Sequence, residues 1–260
     1  MKIFVWILLF LLVINVIAAL ITVFRKPRSI SSVLAWMMTL IFLPGIGFII
    51  YLFCGRGIDG QEVFKLSDDE KQMVQRIKEK VDIDNKKAGR DKRYDLLYDA
   101  KVLNRYFRNM DASPLAKRNS LQLFTDGQEK FQALFEDIRA AKETVHVEYY
   151  AFFNDTIGNQ FLDVLIEKLH EGVEVYLIYD PWGSPGANKK FFARYVDAGG
   201  KVAPFITSRD MIRKTRLNYH LHRKIVVIDG KIGWTGGFNV GDQYLNVTEK
   251  FGYWRDTHIR

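Results

Sequence analysis

The sequence predicts an α/β protein in which a mixed sheet flanked by helices is preceded by a two-helix transmembrane hairpin. Two long apolar runs at the start of the chain predict the hairpin. Short apolar runs that alternate with amphipathic stretches after residue 119 predict the sheet and its helices. With 48% hydrophobic residues and one Cys, the 260-residue composition excludes a disordered chain, a disulfide framework and a cysteine-rich metal site.

The first apolar run covers residues 3–24, and none of its 22 residues is charged. A helix of that length spans about 33 Å, enough to cross a bilayer core of about 30 Å. A cleavable signal peptide is the alternative, but its apolar region would be shorter, and no small-residue cleavage site precedes Arg25. The run therefore predicts a first transmembrane span.

A second apolar run, residues 31–53, follows a short basic loop and completes the predicted hairpin of residues 1–55. Pro44 and Gly45 interrupt this run and predict a kink or a broken helix. A buried pair of helices in a globular protein is the alternative interpretation. Because basic residues border the second run at both ends, their distribution does not decide which side of the membrane carries the remaining chain.

Residues 56–118 are polar and densely charged, which predicts a helical connector. Within it, Ser67 followed by three acidic residues up to Glu70 predicts a capped helix start. Contact between its basic residues and anionic lipid headgroups is an alternative to a fully solvated connector. The chain carries a net charge of +8, and half of it lies in the first 60 residues. The later residues are only weakly basic, which disfavours nucleic acid as a partner.

From residue 119 to residue 260, strands alternate with helices in the order that builds βα units on a mixed sheet. The predicted helices are 127–141, 157–170 and 189–198. The predicted strands are 121–124, 145–152, 173–179, 201–205 and 221–228, with a further strand from Trp254 onward. This part of the chain also contains the residues whose spacing indicates chemistry.

The decisive motif consists of His222, Lys224 and Asp229, spaced as His-x-Lys-x4-Asp around an apolar strand. Residues two apart on a strand share a face, so His222 and Lys224 are expected to point the same way. An imidazole beside a fixed cation can attack phosphorus while the cation holds the phosphate oxygens. The spacing therefore predicts a phosphate-attacking pair.

A Gly-Gly-x-Asn pattern, formed by Gly236, Gly237 and Asn239, follows the motif after six intervening residues. Glycines let the backbone approach a phosphate closely, and an Asn amide can donate to its oxygens. His220 lies two residues before His222, so a metal-binding histidine pair is an alternative that would need a third ligand. The combination of the two patterns favours phosphate chemistry.

The two patterns resemble the His-Lys-Asp signature of the phospholipase D superfamily, and the chain as a whole resembles the bacterial cardiolipin synthases. The resemblance also rests on the two apolar runs and on residues 146–150, 179–184, 236–244 and 253–258. His220 and Leu221 depart from the Arg-Asn pair expected before the signature histidine, which indicates altered local contacts. A phospholipase D-like fold is thereby implied for residues 119–260.

The resemblance also implies roles for individual residues. His222 is expected to be the nucleophile that forms a phosphatidyl-histidine intermediate, while Lys224 and Asn239 bind phosphate oxygens. Asp229 is expected to orient the signature and support it electrostatically. Asp256 is expected to accept a hydrogen bond from His222 and so fix the tautomer of its ring.

A supporting role for Glu148, at the end of a predicted strand, is a weaker expectation, since a polar residue there is often structural. The implied reaction transfers a phosphatidyl group between two phosphatidylglycerol molecules in the bacterial cell membrane, giving cardiolipin and glycerol. Neither a metal nor an organic cofactor is implied. The alternatives are a hydrolase that uses water, a phosphatidylserine synthase that uses serine, an inactive membrane scaffold, and a nuclease, which the hairpin disfavours.

The superfamily places two copies of the signature face to face, and the second histidine protonates the leaving group. This sequence holds one copy, and His258 cannot begin another because only two residues follow it. The chain is therefore expected to be a C-terminally incomplete, N-terminal portion of an enzyme. Pairing of two identical chains is the alternative, and in either case catalysis is expected to need a second half.

Overall fold

A computed structural model of the chain describes residues 6, 10, 13, 17, 21, 29–43, 45–55, 67–87, 103, 106, 119–206, 220–247 and 249–260. The chain forms two compact units, one made of Met1–Gly57 with Gln122–Arg260 and the other of Ile58–Leu121. The first predicted span, residues 3–24, lies almost entirely outside the described residues. Among the residues that are described, no helix is both long enough and apolar enough to cross a membrane.

The second apolar run is divided between two helices. Helix α1 (Ile30–Phe42) begins at Ser29, whose hydroxyl accepts a hydrogen bond from the Ser32 N–H, and helix α2 spans Ile46–Ile50. Gly45, between them, adopts a φ of +82°, which lies outside helical geometry and is tolerated by glycine. The second run is therefore divided at Gly45, and a π-helical turn (Tyr51–Gly55) follows α2.

The second unit contains helix α3 (Asp68–Lys87), which begins where the connector sequence predicts a cap. The Ser67 hydroxyl accepts a hydrogen bond from the Glu70 N–H, and the Glu70 carboxylate accepts one from the Ser67 N–H at 2.6 Å. These reciprocal bonds form a capping box. The bond from the Ser67 N–H also lowers the pKa of Glu70, because it stabilises the charged carboxylate.

Seven strands of the described residues form a single mixed sheet, as the sequence predicts. Strands β2, β3 and β4 are parallel neighbours, and the remaining pairs are antiparallel, in the order β1-β7-β6-β5-β2-β3-β4. The strands are β1 (Leu123–Phe124), β2 (Thr144–Tyr149), β3 (Glu174–Tyr179), β4 (Lys201–Pro204), β5 (Lys224–Ile228), β6 (Ile232–Gly236) and β7 (His258–Ile259). The two central neighbours β2 and β5 run in opposite directions, so the end of β2 meets the start of β5.

Three amphipathic helices flank the sheet: α4 (Gly127–Ala140), α5 (Thr156–His170) and α6 (Lys189–Asp197). Each begins at a side chain that accepts backbone N–H bonds, as helix starts commonly do; these caps are Asp126, Asp155 and Asn188. Their apolar faces pack with alternate strand residues into one core, which includes Phe131, Leu134, Val147, Phe161, Leu165, Leu177, Phe191 and Val226. The core fixes the central strands on which the candidate site is built.

Several strand boundaries differ from those predicted, and one strand was missed. Strand β7 begins at His258 and not at Trp254. Strand β2 ends at Tyr149 because the Phe152 N–H, beyond it, donates to the Ser184 hydroxyl, and Phe152 pairs only as an isolated bridge. The ladder of β5 begins at Lys224, so His222 lies just before the strand. Strand β6, which contains two glycines, was not predicted because glycine is uncommon inside strands.

Candidate active site

His222 and Lys224 lie together where the end of β2 meets the start of β5. Lys224 Nζ is 3.5 Å from His222 Nε2, and the His222 side chain is exposed whereas Lys224 is buried. The ring of Tyr150 packs against both groups, with its centroid 4.5 Å from that of His222 and 5.2 Å from Lys224 Nζ. The pair therefore presents a reachable imidazole nitrogen next to a sheltered amine.

The environment of Lys224 alters its acid–base behaviour. Burial lowers the pKa of Lys224, because the charged ammonium is less well solvated, while the nearby Asp256 carboxylate partly offsets that effect. The side chain faces the core side of the sheet beside Tyr149, its cross-strand neighbour. A cation in such a position interacts with an incoming anion more strongly than a solvated one would.

Asp229 lies at the opposite end of β5 from His222. Its carboxylate accepts hydrogen bonds from the backbone N–H groups of Lys142, Glu143 and Thr144 at 2.8–2.9 Å, and these bonds lower its pKa. Its φ of +51° places it in the left-handed region, which Asp tolerates better than most residues. The structure therefore separates Asp229 from the His222–Lys224 pair and uses it to join β5 to the start of β2.

Substitution of Asp229 by Ala is expected to lower the free energy of unfolding by about 1–2 kcal/mol, because three backbone donors lose their acceptor. A carboxyl whose folded pKa is depressed stabilises the native state above its unfolded pKa, and this contribution is lost as pH falls through the folded pKa. Urea unfolding near pH 7 and near pH 3 should show the difference between wild type and variant shrinking in acid. Asp229→Asn, which keeps one acceptor, should be milder; equal stability of all three proteins would contradict the assignment.

The amide of Asn239 is fixed by two hydrogen bonds close to the end of β2. Its Oδ1 accepts from the Ala151 N–H at 3.1 Å, and its Nδ2 donates to the Tyr244 hydroxyl at 2.8 Å. One amide hydrogen is left to donate elsewhere, since an amide nitrogen has two. The buried Asn239 is thereby held in one orientation, beyond the two glycines of the pattern.

Gly236 and Gly237 occupy positions that exclude a side chain. A Cβ on Gly237 would collide with the Asp256 carboxylate, and one on Gly236 would collide with the backbone of Thr257 and His258. The Gly237 N–H donates to the Thr257 carbonyl at 2.8 Å. The glycines therefore let the segment before β7 pack closely against the end of β6.

The two supporting candidates have other partners than expected. The Asp256 carboxylate accepts from the Thr257 N–H at 2.7 Å, and no hydrogen bond joins it to His222 among the described residues. Glu148 forms an ion pair of 2.7 Å with Arg223, the residue between the two signature side chains. Asp256 thus acts on Lys224 through its charge, and Glu148 holds the strand segment on which the pair lies.

Sequence reasoning did not single out the turn after β3, residues 180–184, as part of the site. Ser184 donates from its hydroxyl to the Tyr150 carbonyl, and Gly183 lies against the Tyr150 ring. Asp180 accepts from the Leu221 N–H at 2.7 Å and so reaches the segment that carries His222. The signal was present, because this turn is one of the segments that carry the family resemblance.

His220, the other histidine of the alternative metal-binding pair, contacts Asp180. His220 Nδ1 lies 3.6 Å from the Asp180 carboxylate. Among the residues that the structure describes, no group of three or more His, Cys, Asp or Glu side chains is arranged to hold a metal ion. The third ligand that a metal-binding histidine pair would need is therefore not supplied by this part of the chain.

Comparisons with known proteins agree with this geometry. Residues 134–250 match the family described as cardiolipin synthase, PLD-like domain, and residues 13–56 match phospholipase D-nuclease N-terminal. A cardiolipin synthase of Listeria monocytogenes serotype 4b (strain CLIP80459) is 41% identical over 266 residues, 98% of this chain and 53% of that protein. The chain belongs to the bacterial cardiolipin synthase family.

Another protein of the cardiolipin synthase family, the major cardiolipin synthase ClsA of Bacillus subtilis (strain 168), is 40% identical over 250 residues. That alignment covers 95% of this chain and 52% of the relative. The phosphatidylserine synthase structure from Haemophilus influenzae Rd KW20 superposes with a TM-score of 0.43 at 21% identity, over 54% of this chain and 32% of that one. The chain thus spans about half the length of the curated cardiolipin synthases that it matches.

Proposed function

We propose that the chain supplies the nucleophilic half-site of a membrane-bound phosphatidyltransferase that makes cardiolipin and glycerol from two phosphatidylglycerol molecules. The observation that carries the proposal is the exposed His222 imidazole, whose Nε2 lies 3.5 Å from the buried Lys224 amine. An imidazole nitrogen next to a cation suits attack on a phosphodiester, which is negatively charged and repels most nucleophiles. Membership of the cardiolipin synthase family supports phosphatidylglycerol as the substrate.

In the proposed first step, His222 Nε2 forms a bond to phosphorus while the bond from phosphorus to the glycerol headgroup oxygen breaks. The leaving glycerol takes up a proton, and a phosphatidyl-histidine intermediate remains. In the second step, a hydroxyl of another phosphatidylglycerol loses its proton, attacks phosphorus and displaces His222, giving cardiolipin. Lys224 stabilises the charge that builds up on the phosphate oxygens in both steps.

Other residues serve this chemistry by position. The free amide hydrogen of Asn239 donates to a phosphate oxygen, and the glycines Gly236 and Gly237 allow close approach of the backbone before it. The Asp256 carboxylate favours the charged form of Lys224. Asp229 acts at a distance, because it fixes the far end of the strand that presents the reacting pair.

The proposed reaction also needs a general acid for the leaving glycerol, whose alkoxide is a poor leaving group. A second His-x-Lys-x4-Asp half would provide it, either from further sequence of the same protein or from a second chain. That the chain spans about half of its relatives supports the first source. All of these steps use protein side chains and lipid, with no cofactor and no nucleic acid.

Membrane attachment forms part of the proposal. The apolar runs at residues 3–24 and 31–53 form a transmembrane hairpin, which keeps the half-site near its lipid substrate. Support comes from the length and lack of charge of the first run, and from the match of residues 13–56 to an N-terminal family module. Orientation across the membrane is left open by the distribution of basic residues.

The test is an assay of the chain together with its second His-x-Lys-x4-Asp half, in vesicles of phosphatidylglycerol labelled in its headgroup glycerol. We expect cardiolipin and free glycerol in equal amounts, and loss of both products in His222→Ala. Phosphatidic acid in place of cardiolipin would reassign the chain to hydrolysis, and phosphatidylserine formed from added serine would reassign the acceptor. Absence of turnover together with absence of a phosphatidyl group on His222, as measured by mass spectrometry, would indicate a scaffold.

A further inference from the structure

His220 lies outside the proposed two-residue nucleophilic pair, yet the fold builds a defined environment around it. Its Nδ1 is 3.6 Å from Oδ2 of Asp180, and about 29% of its side chain is exposed, whereas the Asp180 side chain is only 2% exposed. The Nδ1 atom of His220 is buried and inaccessible to solvent. The ring is therefore held with one nitrogen towards a buried carboxylate, and its other nitrogen, Nε2, lies on the opposite edge of the ring.

The Asp180 carboxylate is itself fixed. It accepts hydrogen bonds from the backbone N–H groups of Trp182 at 2.8 Å, Gly183 at 3.4 Å and Leu221 at 2.7 Å. These donors keep the carboxylate in place whether or not the imidazole is charged. A carboxylate beside Nδ1 favours the tautomer that carries its proton on that atom.

Aromatic rings connect His220 to the reacting pair. The ring of Trp182 lies 5.7 Å from that of His220, and the ring of Tyr150 meets it edge-on at 6.3 Å. Tyr150 is also the ring that packs against His222 and Lys224. Three basic side chains, His220, His222 and Lys224, thus lie around the ring of Tyr150. Among the described residues, the titratable groups that contact His220 are Asp180, from the turn after β3, and Tyr150, after β2.

We propose that His220, held by Asp180 and packed between Tyr150 and Trp182, is a further substrate-binding residue that donates from Nε2 to the headgroup phosphate. The inference rests on the proposed function, which brings a phosphodiester to the adjacent His222. A carboxylate on one edge of the ring and a phosphate on the other are both satisfied only by the doubly protonated imidazole. Substrate binding by this residue should therefore strengthen as pH falls through the range in which an imidazole gains its charge.

The test measures binding of glycerophosphoglycerol, the deacylated headgroup, to the detergent-solubilised full chain by calorimetry. A His222→Asn background removes the titration of the nucleophile, so any remaining pH dependence has another source. Near pH 6 we expect binding about tenfold tighter than near pH 8, as a charge-assisted hydrogen bond would give. His220→Gln should remove the pH dependence and weaken binding near pH 6, while His220→Arg should bind tightly at both values.

His170→Gln is the matched control, since His170 is an exposed histidine at the end of α5 and should leave the pH dependence intact. Tight binding by His220→Arg also shows that substitution at this position leaves the protein folded. Unchanged binding in His220→Gln at both pH values would overturn this inference alone, provided that Lys224→Met still weakens binding. If the wild-type chain does not bind the headgroup at either pH, the inference and the proposed function both fail.

Discussion

The wild-type chain is expected to release a burst of nitrophenolate from phosphatidyl-p-nitrophenol, and replacement of His222 by Asn is expected to abolish it. This lipid carries a leaving group that departs without protonation, so the nucleophilic half-site suffices for the first step. His222 Nε2 attacks phosphorus, nitrophenolate leaves, and the phosphatidyl group stays on the ring. Asn has no such nucleophile, so we expect the rate to fall by at least about a thousandfold.

The measurement is the absorbance burst together with mass spectrometry of the peptide that contains residue 222. One phosphatidyl group per active chain should be found on His222 in the wild-type protein. His146→Asn is a suitable control, because His146 is exposed on β2 and stacks on Tyr176, away from the core side of the sheet. An undiminished burst in His222→Asn, or an adduct on another residue, would remove His222 from the mechanism.

Loss of the Lys224 charge is expected to have the second largest effect. Lys224→Met keeps much of the side-chain volume but removes the cation next to His222 Nε2, so the nitrophenolate burst should slow by about 100- to 1,000-fold. The Lys224 side chain is buried against Tyr150, so an apolar replacement should fold well. Lys224→Arg keeps a charge but not the point geometry of an ammonium, and should retain intermediate activity.

The pH dependence provides an independent check on Lys224. Burial lowers its pKa, so the ammonium loses its proton at a lower pH than an ordinary lysine does. The burst rate should therefore decline on the alkaline side as pH rises through that lowered pKa. In Lys224→Arg the guanidinium stays charged, and the alkaline decline should disappear. An alkaline decline of the same shape in both proteins would assign it to another group.

Much of the fold followed from local pattern in the sequence. The alternation of apolar runs and amphipathic stretches predicted α4, α5 and α6 to within a residue or two, because an apolar face of helical period can be read from the sequence. The sequence predicted a mixed sheet, but not which strands pair in parallel and which in antiparallel orientation. Strand β6 escaped prediction because Gly233 and Gly236 interrupt its apolar alternation, and its place is fixed by β5 and β7.

The candidate site, like the fold, could be predicted only in part from the sequence. Proximity of His222 and Lys224 could be predicted because two-residue spacing puts side chains on one face of an extended segment. The same spacing does not say what Asp229 contacts, and its bonds to the backbone at the start of β2 come from residues that are far away in sequence. The contact of His220 with Asp180 joins residues 40 apart in sequence through a turn, and only the folded chain reveals it.

The position of β7 in the sheet has a consequence for biosynthesis. Among the strands that the structure describes, β1 pairs with β7 alone, and next to this pair the Gln122 N–H donates to the Arg260 carbonyl while the Arg260 N–H donates to the Gln122 carbonyl. Arg260 also holds Asp137 on α4 through two hydrogen bonds of 2.7 Å. As the chain emerges from the ribosome, the strand that begins this domain must wait for residue 260 before it can dock. The first strand of the domain therefore pairs later than the strands between residues 144 and 236.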